Sequence, residues 1–191
     1  MSDKATICFL TRVHPIRPKM LAACVKSVET QTCKDYQHIL IRDDTSEKGY
    51  GLIKAEEALK KPWPINARYV MVLDDDNVIV DMDFVRIFKR EIDREEPDIV
   101  FFRSYVLDYG VLPPLDGWGK PPTQGFIDYF CYAVSLNFWN LYHPQIETAP
   151  HSDFLLAAKC YENARKILWL DRFVARTQGL MARIRAQEDL P

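Results

Sequence analysis

Five consecutive apolar residues, Tyr69-Val70-Met71-Val72-Leu73, run straight into Asp74-Asp75-Asp76-Asn77. An apolar run without alternation reads as a strand buried on both faces, which demands a sheet with helices packed above and below it. Its ending is the stronger constraint. Three adjacent carboxylates repel one another, and a divalent cation removes the conflict because hard ions such as Mg²⁺ and Mn²⁺ prefer oxygen ligands. Ligands of open α/β sheets sit just beyond the carboxyl ends of the strands. The stretch is therefore expected to form a metal site at the lip of a sheet. The competing reading is an exposed acidic turn after a core strand.

The flanking sequence supplies such a sheet. Ala5-Thr6-Ile7-Cys8-Phe9-Leu10 suits a central strand, broken by the loop Thr11-Arg12-Val13-His14-Pro15. Pro18 fits the first turn of a helix, and Met20, Leu21, Cys24, Val25 and Val28 recur at helical spacing across residues 18–30. Gln37-His38-Ile39-Leu40-Ile41-Arg42 is a second strand, and it too ends in acids, Asp43-Asp44, followed by Thr45-Ser46. Residues 52–60 predict a second helix, stopped at Pro62-Trp63-Pro64. After the acidic strand, Asp81 or Asp83 is placed to cap a third helix whose buried face carries Phe84, Val85, Ile87, Phe88 and Ile92. Asp98-Ile99-Val100-Phe101-Phe102 is a fourth strand. This β-α-β-α-β-α-β alternation over residues 5–103 predicts an α/β fold with a doubly wound, mostly parallel sheet. Neither GxGxxG nor GxxxxGK[ST] occurs, which excludes a standard dinucleotide site and a P-loop. The consecutive acids, with no glycine at the sixth loop position, exclude an EF-hand.

From residue 104 the texture changes. Residues 109–125 hold four prolines and four glycines around Trp118, a long irregular loop of the kind that is usually functional inside a compact domain. Phe126, Tyr129, Phe130, Tyr132, Phe138, Trp139 and Tyr142 follow, read mainly as core, with some available as a platform for a sugar ring. His151-Ser152-Asp153 precedes an apolar run, which puts Asp153 in the first turn of a helix, as a cap on local sequence alone. Residues 166–174 read as a last strand, followed by a polar stretch with Arg176, Thr177 and Gln178 and a terminal helix over 180–187.

Composition narrows the class. A chain of 191 residues with 48% hydrophobic and 27% charged residues is expected to form one globular domain, residues 1–191. A net charge of −2 offers no basic field for nucleic acid. No signal peptide follows Met1-Ser2-Asp3-Lys4, and no run approaches the roughly 20 apolar residues that span a bilayer. Five scattered cysteines without a CxxC pair read as reduced thiols, so the expected location is cytoplasmic and a zinc site is not expected.

In their order and spacing these motifs resemble the family 2 (GT-A fold) glycosyltransferases. Ser27-Val28-Glu29-Thr30-Gln31-Thr32 matches that family's SVxxQT helix end. Asp35-Tyr36-Gln37-His38-Ile39-Leu40-Ile41-Arg42-Asp43-Asp44-Thr45-Ser46 is similar to xxxEIIVVDDGS, with Thr45 in place of glycine. Ala67-Arg68-Tyr69-Val70-Met71-Val72-Leu73-Asp74-Asp75-Asp76 is similar to A-x-x-Y-I-x-x-L-D-x-D. The resemblance covers residues 5–103, which would be the nucleotide-binding half. In residues 104–191, the acceptor and catalytic half, only Ser152-Asp153 and the basic tail match by position. No QxxRW follows, which speaks against a processive polymerase, and no histidine lies beyond His151 to serve as a C-terminal metal ligand.

The resemblance implies transfer of a sugar from a UDP-sugar to an acceptor hydroxyl, the acceptor being a sugar, a lipid-linked sugar or a small molecule, with inversion. Thr11 and Val13, with Arg12 between them, would line the nucleotide pocket. Asp44, with Asp43, would accept from the uracil imide. Asp74 and Asp75 would lie on the nucleotide side, Asp74 holding the ribose or reaching the metal. Asp76 would bind Mn²⁺ or Mg²⁺, and Asp153 would be the catalytic base. Arg172 or Arg176 would close over the diphosphate, against the plainer reading of a solvated face. Two other classes stay open: a degenerate, non-catalytic UDP-binding protein of the same fold, and a nucleotidyltransferase. The latter is disfavoured because the Thr11–Pro15 loop lacks glycine.

Overall fold

A computed structural model describes residues 4–42, 52–107, 109–149 and 151–178. Asp43, Asp44 and the expected terminal helix over 180–187 lie outside the described residues. The elements in chain order are β1 (Ala5–Val13), α1 (Pro18–Glu29), β2 (Tyr36–Arg42), α2 (Leu52–Leu59), β3 (Ala67–Val72), β4 (Asn77–Ile79), α3 (Phe84–Glu95), β5 (Ile99–Val106), β6 (Gly110–Leu112), β7 (Tyr132–Ser135), α4 (Leu136–Tyr142), α5 (Ser152–Asn163) and β8 (Ile167–Thr177). Short 3₁₀ turns occupy Leu115–Gly117, Tyr129–Cys131 and His143–Gln145.

The strands form one sheet in the order β2-β1-β3-β7-β5-β8-β4, with β6 on the flank of β5. β2, β1, β3, β5 and β8 point the same way, and β4, β6 and β7 run against them. The predicted doubly wound, mostly parallel α/β fold is therefore present, with four short elements the apolar pattern hid: β4, β6, which lies within the stretch read as an irregular loop, β7 and α4. β7 is four residues long, and its alternation is lost among the neighbouring aromatics. It slots antiparallel between β3 and β5, which the simple alternation would have made neighbours.

Both faces of the sheet are covered, as the apolar strand demanded. Ile7 and Phe9 of β1, with Tyr69, Met71 and Leu73, pack with Cys24 and Val28 of α1 and Phe84, Phe88 and Ile92 of α3. Cys8 and Leu10, with Val70 and Val72, pack on the opposite face with Leu59 of α2, Trp139 of α4 and Leu156 and Cys160 of α5. Successive strand residues thus feed two cores, which is why β1 and β3 show no polar alternation. The described cysteines are all free thiols, and Cys8, Cys24, Cys131 and Cys160 are buried.

The end of α1 has a structural purpose that explains its text. Gln31, 1% exposed, accepts from Val85 N at 3.1 Å and donates to Asp81 O at 2.9 Å, so it satisfies an orphan amide in the first turn of α3 from outside. Ser27 Oγ accepts from Ile79 N at 3.0 Å. The expected carboxylate cap takes another form. Asp83 occupies the N-cap of α3, but its Oδ1 accepts from Thr32 Oγ1 at 2.6 Å and from Arg86 Nε at 3.2 Å rather than from a helical amide. Asp81 Oδ1 in turn accepts from Asp83 N at 3.0 Å.

β8 carries the sheet back onto the acidic turn. It runs parallel to β5, shifts register around Arg103, and then pairs antiparallel with β4, Asn77 opposite Thr177. Gln178, just past its end, donates N–H to Asp76 O at 2.6 Å and Nε2–H to Met20 O at 2.9 Å and Asp75 O at 3.1 Å. The residues after β3 are therefore clamped between β1, α1 and β8.

Candidate active site

The three adjacent acids divide between two arginines, Arg12 for Asp74 and Arg17 for Asp75 and Asp76. Asp74 receives a two-pronged bond from Arg12, Nε to Oδ1 and Nη2 to Oδ2, each at 2.5 Å. The remaining Arg12 prong, Nη1, bonds Glu56 of α2, and the guanidinium lies 5.2 Å from the Tyr129 ring centroid. Tyr129 donates its hydroxyl to Glu56 Oε2 at 2.9 Å. Arg12 and Glu56 are 7% and 2% exposed, so this is an ion-paired core and not a solvated face. Burial alone would lower the Arg12 pKa; the Asp74 and Glu56 carboxylates outweigh it and raise it further above its usual range.

Asp75 is 1% exposed. Its Oδ2 accepts from His14 N at 2.6 Å and its Oδ1 lies 3.5 Å from Arg17 Nη1. Burial pushes its pKa up to about 7, partly offset by the His14 amide. Asp76 Oδ2 accepts from Arg17 Nη1 at 3.1 Å. Asn77 is 2% exposed, and its side-chain Oδ1 has no hydrogen-bond partner among the described residues.

Two clefts open at this end of the sheet. One, of about 250 Å³, is lined by Asp74, Asp76, Asn77, Asp128, Tyr109 and Thr177 among others. The second, of about 160 Å³, is lined by Arg12, Glu56, Asp74, Asp128, Tyr129, Ser152 and Asp153. Asp74 and Asp128 border both, so the clefts adjoin through two carboxylates. Asp153 stands in the first turn of α5, as its sequence predicted, and its Oδ1 accepts from Phe154 N at 2.7 Å. Burial raises the Asp153 pKa to about 6 against the opposing Phe154 amide. Asp128 is raised to about 8, by burial first and then by the Asp153 and Asp74 charges.

Several expected nucleotide contacts are corrected by this geometry. Thr11 is fully buried and its hydroxyl shares a hydrogen bond with His38 Nε2 at 2.9 Å, so it faces the sheet interior rather than a pocket. Arg12, 7% exposed, directs Nε, Nη1 and Nη2 at Asp74 and Glu56 and acts on the site by orienting Asp74. Asp75 fixes the loop between β1 and α1 through His14 and Arg17 and is not open to a ligand. Arg172 donates to Asp81 Oδ2 at 2.6 Å, and Arg176 is exposed beside Val78 in the β4–β8 ladder; neither lines either cleft. Val13 is half-buried at the end of β1 and lines neither cleft, whereas Asp74, Asp76 and Asp153 line one or both.

Five side chains of the site went unassigned in the sequence. Glu56 is an acid on a helix face whose neighbours Ala58 and Leu59 are buried, a discord that periodicity registers only when the buried face is known. Asp128 and Tyr129 sit in Gly125-Phe126-Ile127-Asp128-Tyr129-Phe130, where a lone acid in an aromatic run was the available signal. Arg17 gave none, and Asn77 was overshadowed by its acidic neighbours. A separate, apolar cavity of about 260 Å³ lies between the residue 113–127 loop and the sheet, lined by Phe101, Trp169, Phe126 and several prolines, with Lys120 and Asp116. It holds rings of the kind expected for a sugar platform, but Asp74, Asp76, Asp128 and Asp153 do not line it.

No protein-family model matches the sequence, and no curated protein matches it significantly. Solved structures do share its fold. Staphylococcus aureus TarS, residues 1–349, in complex with UDP superposes with a TM-score of 0.67 at 13% identity, over 95% of this chain and 63% of that one. The same protein in complex with UDP-GlcNAc gives 0.65 at 13% identity over 90% and 58%. A glycosyltransferase involved in the glycosylation of the major capsid of PBCV-1 gives 0.53 at 11% identity over 96% and 98%. A putative glucose-1-phosphate thymidylyltransferase from Bacillus anthracis also gives 0.53, at 10% identity over 97% and 96%. The chain therefore has the GT-A-type fold, a mixed α/β fold shared by glycosyltransferases and nucleotidyltransferases. It spans less than two thirds of the TarS fragment's length.

Proposed function

We infer that this chain is a glycosyltransferase that takes a UDP-sugar as donor and an acceptor hydroxyl as nucleophile, with a divalent cation at Asp76. The observation that carries the reading is the pair of adjoining clefts. One presents Asp76 and Asn77, the other presents Asp153, and Asp74 and Asp128 form the wall between them. A donor whose diphosphate lies by Asp76 would place its sugar toward Asp153. UDP is the nucleotide of choice because the fold neighbour TarS holds UDP and UDP-GlcNAc.

The residues fit a hard cation. Asp76 and Asn77 line one cleft, the Asn77 amide oxygen is buried with no partner among the described residues, and ions of this size are commonly held by one or two carboxylates together with substrate phosphates. When bound, Mg²⁺ or Mn²⁺ offsets the negative charge that grows on the leaving diphosphate. The chain's own groups do the rest. Asp74, oriented by the Arg12 fork, presents its remaining lone pairs to ribose hydroxyls. Asp153, its Oδ1 fixed by Phe154 N, accepts the acceptor's proton as the oxygen attacks the anomeric carbon from the side opposite the diphosphate. That single displacement inverts the configuration.

Binding is tested by melting the protein with UDP, with and without Mn²⁺. A ligand present at 100 times its Kd stabilises by about 2.7 kcal/mol, a shift of about 5–10 °C for a chain of this size. That shift is expected only with the cation. Asp76→Ala should stay folded without ligand, because it relieves the repulsion among three adjacent carboxylates as it removes the bond to Arg17, yet lose the cation-dependent shift. A shift with UDP alone, or one that survives in Asp76→Ala, contradicts the assignment. Among the described residues no helix is long and apolar enough to cross a membrane.

A further inference from the structure

We propose that Asn77 supplies the second protein oxygen to the divalent cation, through its side-chain Oδ1 beside the Asp76 carboxylate. The inference rests on the cation reading above and assigns a ligand that reading leaves open. A buried amide oxygen that bonds nothing is uncommon, because it has given up its water without compensation. Asn77 is such a case: it is 2% exposed, it borders the same cleft as Asp76 and Asp128, and its Oδ1 has no hydrogen-bond partner among the described residues.

The backbone has made the position rigid, so the orphan is not a consequence of slack. Asn77 N donates to Asp74 O at 2.9 Å, Asn77 pairs with Thr177 across the β4–β8 ladder, and Asp76 O accepts from Gln178 N at 2.6 Å. Asp75 is 1% exposed and bonded to His14 N, and Asp74 is held by the Arg12 fork, which leaves its outer lone pairs for the ribose. Beside the Asp76 and Asp128 carboxylates this cleft also has an amide side chain, whose carbonyl is a ligand type that Mg²⁺, Mn²⁺ and Ca²⁺ accept.

The test measures Mn²⁺ binding directly, by the loss of the free-ion EPR signal in the presence of saturating UDP, in wild type, Asn77→Leu and Asn77→Asp. Asn77→Leu keeps the volume and removes the oxygen, so Mn²⁺ affinity should fall at least about tenfold, as the loss of a group at a metal site does. Its melting temperature without metal should equal or exceed that of wild type, since an unpaired polar atom is gone. Asn77→Asp keeps an oxygen and adds charge. It should hold Mn²⁺ at least as tightly as wild type, and melt lower than wild type without metal and recover when Mn²⁺ and UDP are added. Mn²⁺ affinity in Asn77→Leu within twofold of wild type overturns the proposal. So does Asn77→Asp if Mn²⁺ neither binds more tightly nor restores its melting temperature, which keeps the test decisive should the leucine variant not fold. If wild type binds UDP but no Mn²⁺, the cation reading itself falls and the proposal with it.

Discussion

Asp153→Asn should bind UDP as wild type does, melt close to wild type, and transfer or hydrolyse sugar at least about a hundredfold more slowly. The three outcomes follow from one position. Asparagine still offers an oxygen to Phe154 N, the bond that Asp153 Oδ1 accepts at 2.7 Å, so the first turn of α5 keeps its geometry. Asp153 borders the cleft away from Asp76, so the nucleotide is not disturbed. Only the proton acceptor is lost, and a general base contributes typically about 10²–10⁴-fold. The pH profile separates a base from a merely structural acid. Asp153 must be ionised to act, and burial has raised its pKa to about 6, so kcat/KM should climb with pH up to about 6 and then level. That limb should vanish in the asparagine variant. Activity within a few-fold of wild type would return Asp153 to the role of a helix-end acid and favour a chain that binds nucleotide without turning it over.

Arg12→Met should destabilise the fold by about 3–5 kcal/mol, the usual result of removing one member of a buried ion pair. The reason is what it leaves behind: Glu56, 2% exposed, would face the interior without its cation, and the partly exposed Asp74 would lose its two-pronged partner. For a chain of this length that is a fall of about 6–20 °C in melting temperature. Arg12→Lys should also lose most of this support, because an ammonium cannot grip Asp74 with two parallel bonds while reaching Glu56 with a third. Adding Glu56→Gln to Arg12→Met should recover part of the loss, since one of the stranded charges is then gone. The check is chemical denaturation of the single and double variants. A loss below about 1 kcal/mol for Arg12→Met would mean that the triad is solvated and does not orient Asp74.

The sheet was legible because its strands are buried on both faces and so write themselves as apolar runs, while α1 and α3 show their buried stripes at helical spacing. β7 escaped because four residues cannot display a period, and its position depends on which strands need a partner. The acidic turn was legible as a site, but its division of labour was not. Asp74, Asp75 and Asp76 are equivalent in sequence; Arg12, His14 N and Arg17 make them different, and each of these is about 60 residues away. Thr11 was misread because a strand end exposes alternate residues, and the register that buries Thr11 against His38 is set by β2. Arg172 was misread because Asp81, its partner, lies 91 residues earlier. Asp153 was readable as a helix-start acid from local text, whereas its place on a shared cleft with Asp128 required the fold.

The most direct test of transferase function is release of UDP from a panel of UDP-sugars by the full chain with Mg²⁺, assayed with and without added hydroxyl acceptors. The expected result is that at least one donor is consumed, that consumption stops when the cation is chelated, and that Asp153→Asn lowers it about a hundredfold or more. Tight, cation-dependent binding of UDP with no donor consumed under any condition would contradict it and leave this chain a nucleotide-binding protein built on a transferase fold.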